Sequence, residues 1–172
     1  WRMSNAVSLR VSAALALAGF VTLLYGLRRR RLWRVLAVGF VGAIGQPDAH
    51  AGELPCAYVE LVKGASTTVD ELMAYAAKHI TERAAVPKHL EILPELPKTA
   101  VGKVFKPDLR RMAITRTYDA ALAEAGLPAR VSTVIEDKKR GLVARIATTG
   151  PVDDTALSAV LGQFPPAWER IG

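Results

Sequence analysis

Apolar residues in the first half of the chain form short runs separated by turn-forming residues, a pattern typical of β-strands. Residues 37–45 are an apolar run closed by glycine, and residues 45–53 are rich in turn formers. Residues 54–62 are rich in residues that favour strands, and residues 89–93 alternate between apolar and polar side chains. These segments predict two strands joined by a loop, and a third strand further along the chain.

A helix is predicted between the second and third of these strands, over residues 69–84. Thr68 and Glu71 have the spacing of a capping box, in which each side chain bonds a free backbone N–H of the other residue. Apolar residues then recur at helical spacing and define one buried face. They are Val69, Leu72, Met73, Ala76 and Ile80.

The third strand is followed by a basic segment, residues 93–111, with the sequence LPELPKTAVGKVFKPDLRR. Gly102 followed at once by Lys103 predicts a turn with a lysine at its tip. Pro107 suits the first position of a helix, and Asp108 suits the positive end of a helix dipole. A second helix is therefore predicted from this point, and three of its residues are expected to face inward: Leu109, Met112 and Ala113.

The remainder of the chain predicts a few more elements and no recognisable motif. A helix is expected over residues 118–125, and the two apolar runs within residues 130–148 predict a β-hairpin. Asp153 or Asp154 is suited to cap a last helix that reaches Leu161. The pattern contains little that indicates βαβ units.

Together these elements predict an α+β fold. It is a small lid-type domain with a three-stranded sheet and flanking helices, followed by a small α+β C-terminal extension. The predicted domains are residues 1–36, residues 37–112 and residues 113–172. The middle domain has too few strands for a doubly wound sheet, and it is too small to enclose a substrate by itself.

Residues 1–36 differ in composition from the rest of the chain. Residues 11–27 are apolar or nearly so, and the sequence RRRRLWR follows at residues 28–34. Three interpretations stay open: a membrane anchor with its C-terminal side in the cytoplasm, a buried helix, or an out-of-frame remnant. The chain opens on Trp1 rather than methionine, which predicts a fragment of a longer protein.

The net charge of +7 is confined to this first segment. Seven of the 23 basic residues lie in residues 1–36, which contain no acidic residue, so the other 16 balance the 16 Asp and Glu of the chain. Because residues 37–172 carry no net charge, a nucleic-acid partner is not expected.

Cysteine and histidine give no sign of a disulfide or a metal site. Cys56 is the single cysteine, so no internal disulfide is possible, and it is predicted to be a small core residue in a strand. The three histidines have no metal-ligand spacing: His50, His79 and His89. A cytoplasmic location is predicted, with a membrane-anchored form as the alternative.

Two segments together resemble a known family. GQPDAHAGELPCAYVELVKG at residues 45–64, followed after a helix by residues 86–111, resembles the C-terminal domain of AMP-forming acyl-CoA synthetases. These belong to the adenylate-forming superfamily. The resemblance covers Ala37 to Met112, and it is specific because a Pro-Asp turn with Gly-Glu and a Leu-Pro-x-Thr-x-x-Gly-Lys run that ends in Leu-Arg occur together.

The resemblance implies roles for several residues and for partners outside the chain. Lys103 matches the lysine that serves adenylation, Thr99 and Gly102 would shape its turn, and Lys106 and Arg110 would support it electrostatically. The substrates would be a carboxylic acid, ATP with Mg²⁺, and coenzyme A. A large N-terminal adenylation domain, absent from this chain, would bind them, so the chain is not expected to be active alone.

The sequence departs from the family before Ala37. The glycine-rich hinge and acidic helix that the family has there correspond to nothing in residues 1–36, which puts domain movement and thioester formation in doubt. An alternative is therefore a non-catalytic membrane-anchored or relic protein that keeps only the fold.

Overall fold

The computed structural model describes residues 37–171 of the 172-residue chain. Six strands and three α-helices lie within that range. In chain order they are β1 (Val38–Asp48), β2 (Gly52–Leu61), α1 (Val69–His79), β3 (His89–Leu93), α2 (Lys106–Glu124), β4 (Ala129–Asp137), β5 (Gly141–Thr148), α3 (Asp154–Leu161) and β6 (Ala167–Ile171). The predicted α+β class is confirmed.

The predicted segment 11–27, with its three interpretations, lies outside the described residues. Among the residues that the structure does describe, no helix has both the length and the apolar character needed to cross a membrane.

The first sheet has the strand order β1-β2-β3. β1 and β2 are longer than predicted, and only residues 49–51 separate them. The loop is this short because the Asp48 carboxylate accepts the backbone N–H groups of His50 and Ala51, at 2.9 and 2.7 Å. Gly52 then begins β2 with a φ of 77°, a value that favours glycine.

β2 and β3 are parallel, and α1 forms the connection between them. The capping box is confirmed: Glu71 N–H donates to the Thr68 hydroxyl at 3.2 Å, and Thr68 N–H donates to the Glu71 carboxylate at 3.4 Å. The helix packs on the sheet through a small apolar core. Its buried members are Ala57, Val59, Leu72 and Leu90.

Two details of α1 were predicted wrongly. The helix ends at His79 rather than at residue 84, and Val69 is exposed rather than buried. The His79 ring donates from Nδ1 to the Tyr75 carbonyl at 2.8 Å, and Ile80 already has extended backbone angles. β-Branched residues such as Ile80 and Thr81 favour that conformation, so the helix stops before Pro87 requires it.

The second sheet has the order β4-β5-β6 and contains the confirmed hairpin of β4 and β5. Asp153 caps α3 by accepting the Thr155 N–H at 3.3 Å, which confirms the predicted start of the last helix. The core of this sheet is formed with α2 and α3. Its buried members are Ile114, Tyr118, Leu122, Val131, Val134, Ala144, Ile146, Leu157 and Leu161.

The prediction of two separate helices after residue 106 was wrong, because α2 is continuous from Lys106 to Glu124. No glycine or proline lies between Asp108 and Ala125 to interrupt it. Leu109 and Ala113 are buried as predicted, but Met112 is exposed. The buried face of α2 is formed by two sets of residues spaced four apart, Leu109 with Ala113, and Ile114 with Tyr118 and Leu122. Met112 lies on the opposite face of the helix.

The description of the C-terminal part as poor in βαβ units was also wrong. β6 pairs parallel with β5, and α3 connects the two strands. β6 has only five residues and follows a Pro-Pro pair, so its strand pattern is weak in the sequence. Both sheets consequently have the same succession of hairpin, helix and parallel third strand.

Two compact units can be distinguished among the described residues. The first consists of residues 37–44 and 55–106, and the second of residues 45–54 and 107–171. The lysine-bearing turn belongs to the first unit. The domain limits that the sequence suggested, residues 37–112 and 113–172, stay a prediction.

Candidate functional site

Lys103 lies on a tight turn that links β3 to α2. Lys98 and Val104 form an antiparallel bridge at its base, and Thr99 N–H donates to the Lys103 carbonyl at 2.8 Å. At the tip, Gly102 N–H donates to the Thr99 carbonyl, also at 2.8 Å. The backbone of the turn is therefore closed by its own hydrogen bonds.

The Thr99 side chain and the conformation of Gly102 also help to define the turn. The Thr99 hydroxyl accepts the Lys103 N–H at 3.2 Å, and Gly102 has a φ of 78°. A Cβ atom on Gly102 would meet nothing within 4 Å, so this glycine is required by backbone conformation and not by space.

Replacing Gly102 with alanine is expected to destabilise the chain by about 1–2 kcal/mol, since a left-handed conformation is unfavourable for a residue with a Cβ atom. Asparagine tolerates this region better, so Gly102→Asn should cost less than Gly102→Ala, and Gly102→Val should cost more. Urea denaturation of the three variants measures the order. Equal stability of the glycine and valine forms would show that the turn does not need a positive φ.

The Lys103 side chain is exposed. Within residues 37–171 its ammonium group makes no hydrogen bond or ion pair. The hydrogen bonds of the turn involve only the Lys103 backbone. The fold thus fixes the backbone of this residue and leaves its charge available to an anionic group.

Lys98, five residues earlier, is held inside its own unit. Its Nζ atom lies 2.6 Å from the Glu60 carboxylate and 4.5 Å from the centre of the Phe40 ring. The side chains of Lys98 and Glu60 are only 20% and 16% exposed. Two lysines on one turn therefore have different roles: Lys98 is bound within the protein, and Lys103 is presented outward.

Glu60 and Lys98 each stabilise the charged form of the other. Burial alone would raise the pKa of Glu60, but the Lys98 ammonium and the Leu96 N–H outweigh it and lower that pKa below its ordinary value. The hydrogen bond to Glu60 is the main cause that raises the pKa of Lys98. Both groups stay ionised across the neutral pH range.

A pH dependence of stability follows from the lowered pKa of Glu60. A carboxylate with a lowered folded-state pKa stabilises the protein above its unfolded-state pKa, here about 4.5, and this stabilisation is lost as the pH falls through the folded-state value. Glu60→Gln should therefore have a lower free energy of unfolding than the wild type at neutral pH. This difference should shrink as the pH falls below about 4.5.

Glu95 provides the matched control for this measurement. It lies 3.7 Å from the same Lys98 ammonium, but its side chain is 80% exposed, and exposed pairs contribute little. Glu95→Gln should therefore show a small difference at every pH. A Glu60→Gln difference that stays constant down to about pH 3 would contradict the assigned ionisation.

The two residues expected to support Lys103 are both exposed. Lys106 is the first residue of α2, and Arg110 lies one turn further along that helix in the second unit. Their electrostatic role stays a prediction. The neighbouring Arg111, by contrast, is occupied by Asp108 at 2.7 Å and Glu136 at 3.5 Å.

The histidines and the cysteine form no reactive set. His50 is in the β1–β2 loop, His79 stacks on Tyr75, and His89 lies 3.6 Å from the Glu91 carboxylate. Cys56 is fully buried in β2, which confirms its predicted place in the core. Across residues 37–171, no three His, Cys, Asp or Glu side chains are placed to hold a metal ion.

Glu60 and Lys98 were not singled out from the sequence. One signal was available: Glu60 is the one charged residue in the predicted strand of residues 54–62, and a half-buried carboxylate requires a partner. The identity of that partner could not be read from the sequence, because Lys98 is 38 residues further along the chain.

Comparison with known proteins matches residues 31–103 to the AMP-binding enzyme C-terminal domain. A marinolic acid–CoA ligase of Pseudoalteromonas is 48% identical over 79 residues, which are 46% of this chain and 12% of that protein. A long-chain-fatty-acid–CoA ligase of Bacillus subtilis is 41% identical over 70 residues, which are 41% of this chain and 12% of that protein. The chain thus spans only a small part of the length of these relatives.

Solved structures of similar proteins include an amide bond synthetase of Marinactinospora thermotolerans. It is 31% identical with a TM-score of 0.39, over 43% of this chain and 15% of that one. A fatty acyl CoA synthetase of Mycobacterium tuberculosis is 27% identical with a TM-score of 0.39, over 43% and 14%. The family resemblance drawn from the sequence is confirmed by the family match and the curated relatives: residues 31–103 match the AMP-binding enzyme C-terminal domain, and the relatives are acyl-activating ligases.

Proposed function

We propose that this chain is the C-terminal part of an AMP-forming carboxylic acid–CoA ligase and that it supplies Lys103 to an active site on a large adenylation domain. The observation that carries this proposal is the presentation of Lys103. Its backbone is fixed by a closed turn, while its ammonium group has no partner within residues 37–171. The match of residues 31–103 supports the same assignment.

The first half-reaction joins the carboxylic acid to AMP. A carboxylate oxygen attacks the α-phosphorus of ATP, the bond from that phosphorus to the bridging oxygen of the β-phosphate breaks, and pyrophosphate leaves. Negative charge accumulates around the phosphorus in the transition state. A fixed ammonium group, sheltered from water by the large domain, stabilises this charge more than it stabilises the separate substrates.

The second half-reaction forms the thioester. The sulfur of coenzyme A attacks the acyl carbonyl carbon, the bond from that carbon to the AMP oxygen breaks, and the thiol proton passes to solvent. We assign no residue of this chain to this step, because nothing in residues 1–36 corresponds to the hinge that the family has at that place.

Magnesium would accompany ATP. The described residues do not suit a magnesium site, because no three His, Cys, Asp or Glu side chains among them come together. In this proposal the ion is therefore held by the phosphates and the large domain, and no residue of this chain acts through it.

A fusion protein tests the proposal. The complete 172-residue chain is placed after the large domain of the Pseudoalteromonas ligase, in place of that protein's own C-terminal domain. The assay is the incorporation of labelled pyrophosphate into ATP, which depends on the acid that gives the relative its name. We expect the fusion to exchange pyrophosphate well above the large domain alone.

The same assay separates the enzyme from a relic that keeps only the fold. No stimulation by a folded fusion would favour the non-catalytic alternative. Circular dichroism of the isolated chain and of the fusion establishes that the negative result is not caused by misfolding.

A further inference from the structure

Three elements of the first unit meet at the base of the Lys103 turn. A single oxygen of Glu60, on β2, accepts the backbone N–H of Leu96 at 2.8 Å and the Lys98 ammonium at 2.6 Å. The same ammonium group lies over the ring of Phe40, on β1, with Lys98 Nζ 4.5 Å from the centre of the ring. The segment that leads into the turn is thereby attached to two strands of the sheet.

The path from this attachment to Lys103 is short, and hydrogen bonds close it across the turn. Lys98 bridges to Val104, and the next residue, Thr99, bonds the backbone of Lys103 in both directions. Pro97 accepts the Phe105 N–H at 2.7 Å on the other side of the bridge. Any displacement of Lys98 relative to the sheet is therefore passed on to Lys103.

We propose that Glu60 and Lys98 are positioning residues, which anchor the base of the turn to the sheet and so determine where the Lys103 ammonium is delivered. This inference rests on the function proposed above. Neither residue touches the reacting atoms, since both are occupied with each other inside the unit. Their effect on the reaction is through the location of Lys103.

Stability alone does not account for an ionic anchor at this place. A largely buried ion pair is often no more stabilising than a well-packed apolar pair of the same volume, because both ions lose their hydration. An apolar pair could not hold the Leu96 N–H and residue 98 at one point, as the Glu60 oxygen does. The ion pair and an apolar pair therefore differ in how they position the base of the turn. Displacement of a reacting group by about 1 Å is sufficient to reduce a rate by about 10²-fold.

The decisive variant is therefore the apolar pair Glu60→Leu with Lys98→Leu. In the fusion protein, assayed at a temperature at which circular dichroism shows the variant to be fully folded, we expect it to lower kcat of adenylation by about 10- to 10²-fold, with KM for ATP changed little. The conservative variant Lys98→Arg keeps the charge and the donors, and it should retain most of the rate. A purely structural role would predict full kcat wherever the variant is fully folded.

A second measurement does not depend on catalysis. In the complete chain without the large domain, amide hydrogen exchange of Leu96 and Gly102 should become at least about 10-fold faster in the apolar pair variant, because their anchor is lost. Exchange of Leu72 and Ala76, within α1, should not change. Unchanged exchange at Leu96 and Gly102 would overturn the anchoring role.

Failure of this inference can be distinguished from failure of the proposed function. Full kcat of the apolar pair variant, together with a strong loss in Lys103→Ala, would overturn the positioning role and leave the function standing. Full activity of Lys103→Ala would overturn the function itself, and with it any catalytic role for the anchor.

Discussion

Replacement of Lys103 by alanine is expected to slow adenylation in the fusion protein by about 10²- to 10³-fold, the range found when other fixed electrostatic groups are removed from active sites. The loss should appear in kcat of pyrophosphate exchange, since the ammonium acts on charge that develops only in the transition state. Folding should be unaffected, because the Lys103 side chain is exposed and makes no hydrogen bond or ion pair within residues 37–171.

Lys63 gives a matched control for this variant. Like Lys103, it is an exposed lysine of the first unit beside a glycine with positive φ, in this case Gly64. Lys63→Ala should leave exchange unchanged. Lys103→Arg should recover only part of the rate, because a planar guanidinium does not reproduce a compact ammonium. An equal effect of the two alanine variants would contradict a specific role for Lys103.

Replacement of Tyr118 by alanine is expected to destabilise the second unit by about 3–5 kcal/mol, the usual cost of removing a large aromatic residue from a core. Tyr118 is fully buried on α2, and its ring lies 5.2 Å from that of Phe164. Its hydroxyl donates to the Pro166 carbonyl at 2.6 Å. Burial raises the pKa of Tyr118, so the hydroxyl stays a donor at neutral pH.

Two further variants divide this effect into its parts. Tyr118→Phe keeps the ring and leaves the Pro166 carbonyl without its donor, which should cost about 1–3 kcal/mol. Met112→Ala, at an exposed position of the same helix, should change stability by less than about 0.5 kcal/mol. Urea denaturation followed by circular dichroism measures all three. A cost for Tyr118→Ala close to that of Met112→Ala would contradict a core built on α2.

Elements with strong local signals were predictable from the sequence. Thr68 and Glu71 start α1 through side chains that lie within one turn of each other, and Asp153 starts α3 in the same way. The alternation of residues 89–93 gave the bounds of β3 as the structure has them. In each case the physical cause lies within a few residues of its effect.

Elements that depend on distant partners were not predictable. The single helix α2 continues through Ile114 and Thr117, which favour strands, because Ile114 and Tyr118 pack into the core of the second sheet. β6 exists because β5 offers it a parallel partner. Neither partner is visible in the local pattern.

The candidate site also contains one part that the local sequence predicts and one part that depends on distant residues. The turn at Gly102 and Lys103 could be expected from a short motif. The partner of Glu60 could not, because its oxygen meets Leu96 and Lys98 only after β2 and β3 have paired with residue Glu60 opposite Leu93.

The most direct test of the account is the position of the Lys103 ammonium in a crystal structure of the fusion protein with a non-hydrolysable analogue of the acyl adenylate. We predict that Nζ lies about 3 Å from an oxygen of the α-phosphate or of the acyl group, the distance of a charge-assisted hydrogen bond. A structure in which the turn is docked on the large domain and Lys103 points into solvent or into an ion pair would contradict the account.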